Sequence, residues 1–426
     1  MTRRAAAVLA LVLAPAVAGA QAPPPSTPRP PSTPKRAPAP GWTTEPVALK
    51  NEASDFEIGL TGYVQADFRS YQDWTVAAPE LRGDEAEWHR VRVGVDGHFR
   101  RLSFQVDLGP VDKDGKELKD AWLELRFAKA LRLRGGRMKV PVSPEWLTSP
   151  AKTDFLERAV MVDAMAPERD WGAELNGEIG RLVEYQAGVF AGDGVKNRFR
   201  AQTTWAGRLV FKPWRGLELG GSTSYGRVAA DPVGPGLDPD PKGFGAASQT
   251  EYSFFEPVFV DGRRQRWDAE LAVRRGPVGL RAEYLQETEA RDGQGPTLED
   301  LPDVRGRGFQ VAATWLVTGE KKTRTVQPRA RLFRGPGAVE IGARYEEMRA
   351  DDVDNQGFEG FGSRARNLRP AGYKAFTGGV SWWPTVFLRL GGNVVVERYR
   401  DALVAPETGT EGNYVSLIGR VQVMLP

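Results

Sequence analysis

From about Phe56 to the end of the chain, apolar and polar residues alternate along short stretches. Val91, Val93 and Val95 alternate with Arg90, Arg92, Gly94 and Asp96, and Leu102, Phe104, Val106 and Leu108 with Ser103, Gln105 and Asp107. The same period of two returns at Leu123–Phe127, Leu131–Arg134, Val183–Ala191, Leu280–Glu287, Phe309–Val317, Val339–Tyr345, Leu388–Val396 and Val415–Leu425. A period of two means strands with one apolar and one polar face. No stretch carries a comparable helical stripe.

The connections alternate as well. Arg100-Arg101, Lys129-Ala130, Gly180-Arg181, Gly276-Pro277 and Gly335-Pro336 read as tight turns. Between them lie long polar segments, among them Tyr71–Glu87, Lys139–Asp170, Val228–Gln249, Thr288–Arg305, Ala350–Gly372 and Tyr399–Glu411. Short turns on one side and long loops on the other predict an all-β fold, a transmembrane antiparallel β-barrel over 56–426. About 370 residues over about 16 strands leaves roughly 23 for each strand and its connection, which suits bilayer-crossing strands of about 10 residues. A soluble sandwich array or propeller would also alternate, but would show a repeat length, and none is visible. Aromatic residues at strand ends (Tyr63, Tyr71, Trp74, Trp88, Trp122, Trp171, Tyr185, Tyr225, Trp267, Trp315, Trp382) suit interfacial girdles.

The N-terminus reads differently. Arg3 and Arg4, the apolar stretch Ala5–Ala18 and the small residues Ala18-Gly19-Ala20 make residues 1–20 a signal peptide. In Gln21–Pro40, nine of twenty residues are Pro, so residues 21–55 are expected to be a Pro-rich, disordered tether. The reading is therefore of a protein exported through the periplasm.

Composition narrows the chemistry. The chain has no Cys and only two His, His89 and His98. Disulfides, thiolate nucleophiles and Cys-based metal sites are excluded. Outside the leader no run of about 18 apolar residues occurs, so membrane-spanning helices are excluded too. The net charge of +3, with acidic residues interspersed among basic ones, gives no nucleic-acid footprint. Asp112-Lys113-Asp114-Gly115 is a fragment of a calcium loop without its later ligands, and reads as a turn. No Ser is tied to either His, as a barrel hydrolase would need. No catalytic residue, metal ligand or cofactor is assigned.

One region carries a family resemblance. Gly135-Gly136-Arg137-Met138-Lys139-Val140-Pro141 is followed by Leu147-Thr148-Ser149, then Leu156-Glu157-Arg158, then Ala166-Pro167-Glu168-Arg169-Asp170-Trp171-Gly172. With Gly62-Tyr63-Val64-Gln65-Ala66-Asp67, Arg90–Gly94 and Asp120–Glu124, it resembles the phosphate-selective porin family, phosphate and polyphosphate channels of Gram-negative outer membranes. The specific motifs cover about 120 residues, Gly62 to Gly180; the remainder matches only in barrel texture. The resemblance implies a 16-stranded, usually trimeric barrel in outer-membrane lipid, with a loop at 139–170 folded inward as a constriction. It also implies passive diffusion of inorganic phosphate or other small anions along Arg and Lys side chains. A guanidinium replaces part of an anion's hydration by paired hydrogen bonds, and several weak sites in series let the ion leave. Lys139, Arg158 and Arg169 occupy the matching motif positions, and Arg132, Arg134 and Arg92 stand on neighbouring inward positions; these six are the expected path.

The charges also argue the other way. Loop 139–170 holds four basic residues (Lys139, Lys152, Arg158, Arg169) and six acidic ones (Glu145, Asp154, Glu157, Asp163, Glu168, Asp170). Inward strand positions mix Arg90, Arg344, Arg389 and Arg420 with Asp67, Glu124, Glu174, Glu283 and Glu346. Such mixing suits ion pairs across a lumen as well as an anion ladder. A weakly selective general porin, and a structural or receptor barrel with a plugged lumen, therefore stand as alternatives. The chain also ends in Met424-Leu425-Pro426, where barrel proteins commonly end in an aromatic.

Overall fold

The structure, a computed structural model, describes residues 48–51, 54–71, 84–111, 117–192, 202–230, 241–295, 297–329, 334–353, 368–400 and 412–425. The expected signal peptide, most of the tether and the Asp112–Gly115 turn lie outside the described residues.

Alternating stretches become strands wherever a neighbour can satisfy their backbone hydrogen bonds. In chain order these are β1 (Ala48–Asn51), β2 (Phe56–Tyr71), β3 (Asp84–Phe99), β4 (Leu102–Val111), β5 (Leu118–Ala128) and β6 (Leu131–Lys139). Helices α1 (Pro144–Leu147) and α2 (Val160–Met165) follow, then β7 (Arg169–Ile179), β8 (Val183–Phe190), β9 (Thr204–Phe211) and β10 (Leu217–Val228). A small ribbon, β11 (Ala246–Ala247) and β12 (Ser253–Phe255), precedes β13 (Gly262–Arg275), β14 (Val278–Arg291), β15 (Leu301–Leu316), β16 (Ala338–Asp352), β17 (Ala371–Trp383), β18 (Leu388–Tyr399) and β19 (Tyr414–Met424).

Sixteen of these strands, β2–β10 and β13–β19, pair antiparallel with their sequence neighbours. The ring closes where Ser416–Met424 of β19 meet Tyr63–Tyr71 of β2, so no long edge is left open. β19 stops opposite Tyr63, and below that point β1 pairs with Phe56–Gly59. The last part of the expected tether is thus a short strand, because the end of β2 still has backbone groups to satisfy.

The burial alternates in the opposite sense from a soluble sheet. In β19 Leu417 is 49% exposed and Val415, Val421 and Val423 face out, while Ser416, Arg420 and Gln422 are buried. An apolar outer face and a polar inner one suit a wall set in hydrocarbon. Trp88, Trp205, Trp267 and Trp315 stand on the outer surface. Tyr63 and Trp122, expected in the girdle, instead line an internal cavity, and Trp74 lies outside the described residues.

Six of the seven connections on the short-turn side hold two to five residues, 384–387 among them with four. Gly335-Pro336 is not a tight turn: it ends a long connection, 317–337, whose Lys322 donates to Asp154 and Glu340. Gly136 shows why glycine occurs in the motif at β6. Its φ is +133°, and a Cβ there would lie 2.2 Å from the Ala121 carbonyl oxygen.

Candidate functional site

Two segments pack against the inner face of the wall. The first, residues 140–168 between β6 and β7, starts at Val140-Pro141. Ser143 then takes a left-handed conformation (φ 65°) and its hydroxyl caps α1 by accepting from the Trp146 N–H. Val140, Val142, Leu156, Val160, Met161, Val162 and Met165 are buried in one apolar cluster. Side-chain-free positions on the wall receive them: a Cβ on Gly308 would lie 2.8 Å from Met161, and one on Gly391 2.6 Å from Leu156. The second segment, 241–261, adds Phe244, Phe254, Phe255, Val258 and Val260 to the cluster, with Phe254 stacked on Tyr373. Gln249 at its tip donates to Glu346 and Thr377, and Thr250 to Glu397.

Wall arginines hold the first segment by its backbone. Arg389 donates to the carbonyls of Thr153 and Asp154 (2.8 Å each), Arg344 to that of Glu157 (2.9 Å), Arg420 to that of Leu156, and Arg266 to that of Met165 (2.7 Å). A chain without regular structure leaves carbonyls unpaired, and a guanidinium can satisfy two at once. Carboxylates of the segment complete the anchoring. Glu157 accepts from Arg69 and Arg420, and Asp154 pairs with Arg281 (3.1 Å) and Lys322 (2.7 Å). Burial alone would raise the Asp154 carboxyl, but Arg281 and Lys322 outweigh it and bring it down to about 2.

Beside these segments a cavity of about 820 Å3 remains, bounded by β2–β10, β13, β14 and the end of β19 with Leu425, residues 144–152, and Arg324 and Thr325. Of the six expected path residues it exposes four: Arg92, Arg134, Lys139 and Arg169. Arg134 lies over the Trp122 ring (4.3 Å) and pairs with Glu124 (2.7 Å); Arg169 pairs with Asp120 (2.9 Å). Lys139 donates to the carbonyls of Trp146 and Thr148. Arg132 and Arg158 are not on the cavity lining. Arg132 pairs with Glu178 (3.3 Å), and Arg158 donates to the carbonyls of Glu145 and Thr148 while lying 4.8 Å from the Trp146 ring centre. Arg158 therefore ties two limbs of its own segment together. Lys152, Arg208, Arg274, Arg281 and Arg324 line the cavity and were not among the six. Lys152 was visible only as one of the loop's basic residues, and nothing in its neighbourhood marked it out.

Asp67, His89 and Glu157 bring ligand-type atoms within 4.8 Å of one another. Arg420 lies 2.6 Å from Asp67 and 2.7 Å from Glu157, and Arg69 lies 3.2 and 3.1 Å from the same two carboxylates. Guanidinium groups thus occupy the place a metal ion would take.

A closed sixteen-stranded barrel with an apolar exterior, a charged interior and an internal cavity is an outer-membrane channel barrel. Solved structures share this architecture. OmpT of Vibrio cholerae superposes with a TM-score of 0.56 at 11% identity, covering 88% of this chain and 99% of its own. OmpF of Salmonella typhi, solved in complex with daunomycin, gives 0.52 at 9% identity, covering 88% and 99%. The outer-membrane channel DcaP of Acinetobacter baumannii gives 0.50 at 11% identity, covering 89% and 99%. No curated protein matches the sequence. The family model described as phosphate-selective porin O and P matches residues 58–424. The chain belongs to that family, and is a porin of the Gram-negative outer membrane.

Proposed function

We propose that this porin passes small anions, inorganic phosphate among them, by passive diffusion, without a reaction or a cofactor. The observation that carries the reading is the charge of the cavity lining. Among the described residues of the lining, Arg92, Arg134, Lys139, Lys152, Arg169, Arg208, Arg274, Arg281 and Arg324 are nine cations; Asp96, Asp107, Asp120, Glu184, Glu218, Glu270 and Glu283 are seven anions. The excess is two positive charges (9 − 7 = 2). In a narrow space of low dielectric, a small excess biases which ion enters. Segment 140–168, anchored to the wall, acts as the constriction, and Lys139, Lys152, Arg92 and Arg169 form the anion path beside it, supported by Arg134. The Trp122 and Tyr63 rings narrow the same space.

Pairing of Arg134 and Arg169 with carboxylates favours a second reading, a weakly selective pore, because a neutralised guanidinium attracts anions less. Residues 1–20 serve as the export leader in either case, and the apolar outer band meets lipid. Assembly is as a homotrimer, a form also described for OmpT of Vibrio cholerae.

Reversal potential in a planar bilayer under a potassium chloride gradient tests the reading. The pore should prefer chloride, and added phosphate should reduce the chloride current. Arg92→Glu combined with Lys152→Glu turns the lining from nine cations and seven anions into seven and nine, so preference should pass to cations. Unchanged selectivity in that variant would remove these residues from the path. A wild-type pore indifferent to phosphate would leave the porin and discard the phosphate.

A further inference from the structure

The outward faces of β15–β18 carry an ordered set of side chains near the end of the barrel where the long connections lie. Passing away from that end, the outward positions run Arg305, Arg307 and Phe309 on β15 and Arg349, Glu347 and Tyr345 on β16. They run Lys374 and Phe376 on β17, and Arg398, Val396 and Val394 on β18. The side chains of Arg349 and Lys374 are 44% and 52% exposed, and Phe309, Tyr345, Phe376 and Val394 are exposed as well. Each strand thus passes from charge to apolar surface within a few outward steps, which places the boundary between headgroups and hydrocarbon at this level. Long connections are extracellular in such barrels, so this boundary belongs to the outer leaflet. Near the same end, the outward residues of β3 and β9 include Trp88 and Trp205 instead.

Strand register sets these cations side by side. Arg307 stands directly opposite Arg349, and Lys374 directly opposite Arg398. Just past β18, the stem of Arg400 lies over Gly372, the residue opposite Arg349; a Cβ on Gly372 would come 2.8 Å from that of Arg400. Like charges directly opposite each other on a sheet are destabilising. Two carboxylates hold the cations in place. Glu347 is shared by Arg349 (2.7 Å) and Lys374 (3.5 Å), and the buried Asp351 by Arg307 (3.1 Å) and Arg305 (3.4 Å). Each carboxylate thus meets two cations, which fixes their geometry and leaves each trio positive.

We propose that this face binds a phosphorylated lipid of the outer leaflet. Arg307, Arg349, Lys374 and Arg400 take the phosphate groups of the headgroup, and Phe309, Tyr345 and Phe376 lie along its acyl chains. A guanidinium offers phosphate two parallel N–H donors, and an ammonium offers it a compact charge. A polyanionic headgroup offsets the repulsion that the register imposes on the cations, as basic clusters at a membrane surface do with anionic lipids. The rings of Phe309 and Tyr345, 5.9 Å apart between centres, form an apolar step directly under the charges. Free phosphate would gain the same hydrogen bonds without the apolar contact, so the arrangement favours the lipid. The face is on the outside of the barrel, and its occupation requires neither current nor anion preference in the pore.

Native mass spectrometry of the detergent-solubilised protein tests this with diphosphoryl lipid A and with the same glycolipid stripped of its phosphates. The parent should bind the phosphorylated form about tenfold more tightly or better. Arg349→Gln combined with Lys374→Gln should remove most of that difference. Excess inorganic phosphate, at matched ionic strength, should displace little of the lipid. Heat-modifiable gel mobility identifies folded protein, and if the double variant does not fold, Arg307→Gln with Arg400→Gln puts the same question. Equal affinity for the two glycolipids, or a folded variant that keeps the parent's preference, would overturn the proposal. Ready displacement by inorganic phosphate would overturn it too, by reassigning the face to the free ion.

Discussion

Replacing Arg389 by Met separates two uses of a lumen arginine. Arg389 is buried, points inward from β18, and lies outside the cavity lining. Its Nη1 and Nη2 donate to the Thr153 and Asp154 carbonyls at 2.8 Å, its Nε and Nη2 to the Ser381 hydroxyl, and its guanidinium lies 5.0 Å from the centre of the Trp383 ring. Methionine keeps most of the stem and removes every donor. A buried carbonyl and a part-buried one then lose a charged partner, at about 1–3 kcal/mol each. Partial rescue by water brings the expected loss of hold to about 3 kcal/mol, which is about a hundredfold in the fraction of time the segment is detached. Amide exchange across 150–158 should accelerate by about that factor. Single-channel current should become noisier, with the reversal potential unchanged. If exchange and noise stay as in the parent while anion preference falls, Arg389 is part of an ion path and the clamp argument fails.

Two further outcomes follow from the same geometry. The Asp154 carboxyl, held at about 2 by Arg281 and Lys322 despite its burial, is depressed below its ordinary value near 3.9, so its contribution is complete above about pH 4 and is lost as pH falls through about 2. That contribution is about 2 kcal/mol, and Asp154→Asn should lower thermal stability at pH 7 while leaving the parent and variant alike near pH 2. Equal stabilities at pH 7 would refute the pairing. Leu417 faces outward on β19, and Leu417→Arg should destabilise the barrel by about 2–4 kcal/mol if this position lies near the bilayer midplane. Urea-induced unfolding in lipid vesicles measures it, and a loss below about 0.5 kcal/mol would place Leu417 away from hydrocarbon.

The barrel was legible because its cause is local and repeated. Each strand has to offer hydrocarbon one face and the lumen the other, so the period of two is written along nearly every crossing. Val415, Leu417, Val421 and Val423 against Ser416, Arg420 and Gln422 show the rule without any knowledge of neighbours. The porin motifs around Gly135–Gly172 were legible for a similar reason, since Gly136 is a residue whose backbone geometry the local chain demands.

The roles of the charged residues were not legible, because a lumen arginine has no local signature of its partner. Arg158 and Arg169 stand at equivalent-looking motif positions, yet Arg169 lines the cavity against Asp120 and Arg158 binds the carbonyls of its own segment. Arg344, Arg389 and Arg420 alternate in sequence as any anion ladder would, and closure of the ring brings them against a segment that precedes them by about 190 to 260 positions (344 − 157 = 187 and 420 − 156 = 264). The alternation determined a charged interior wall. Only tertiary structure decided which charges face water and which are turned to backbone oxygens and carboxylates, because that depends on how two inserted segments fill the space the strands enclose.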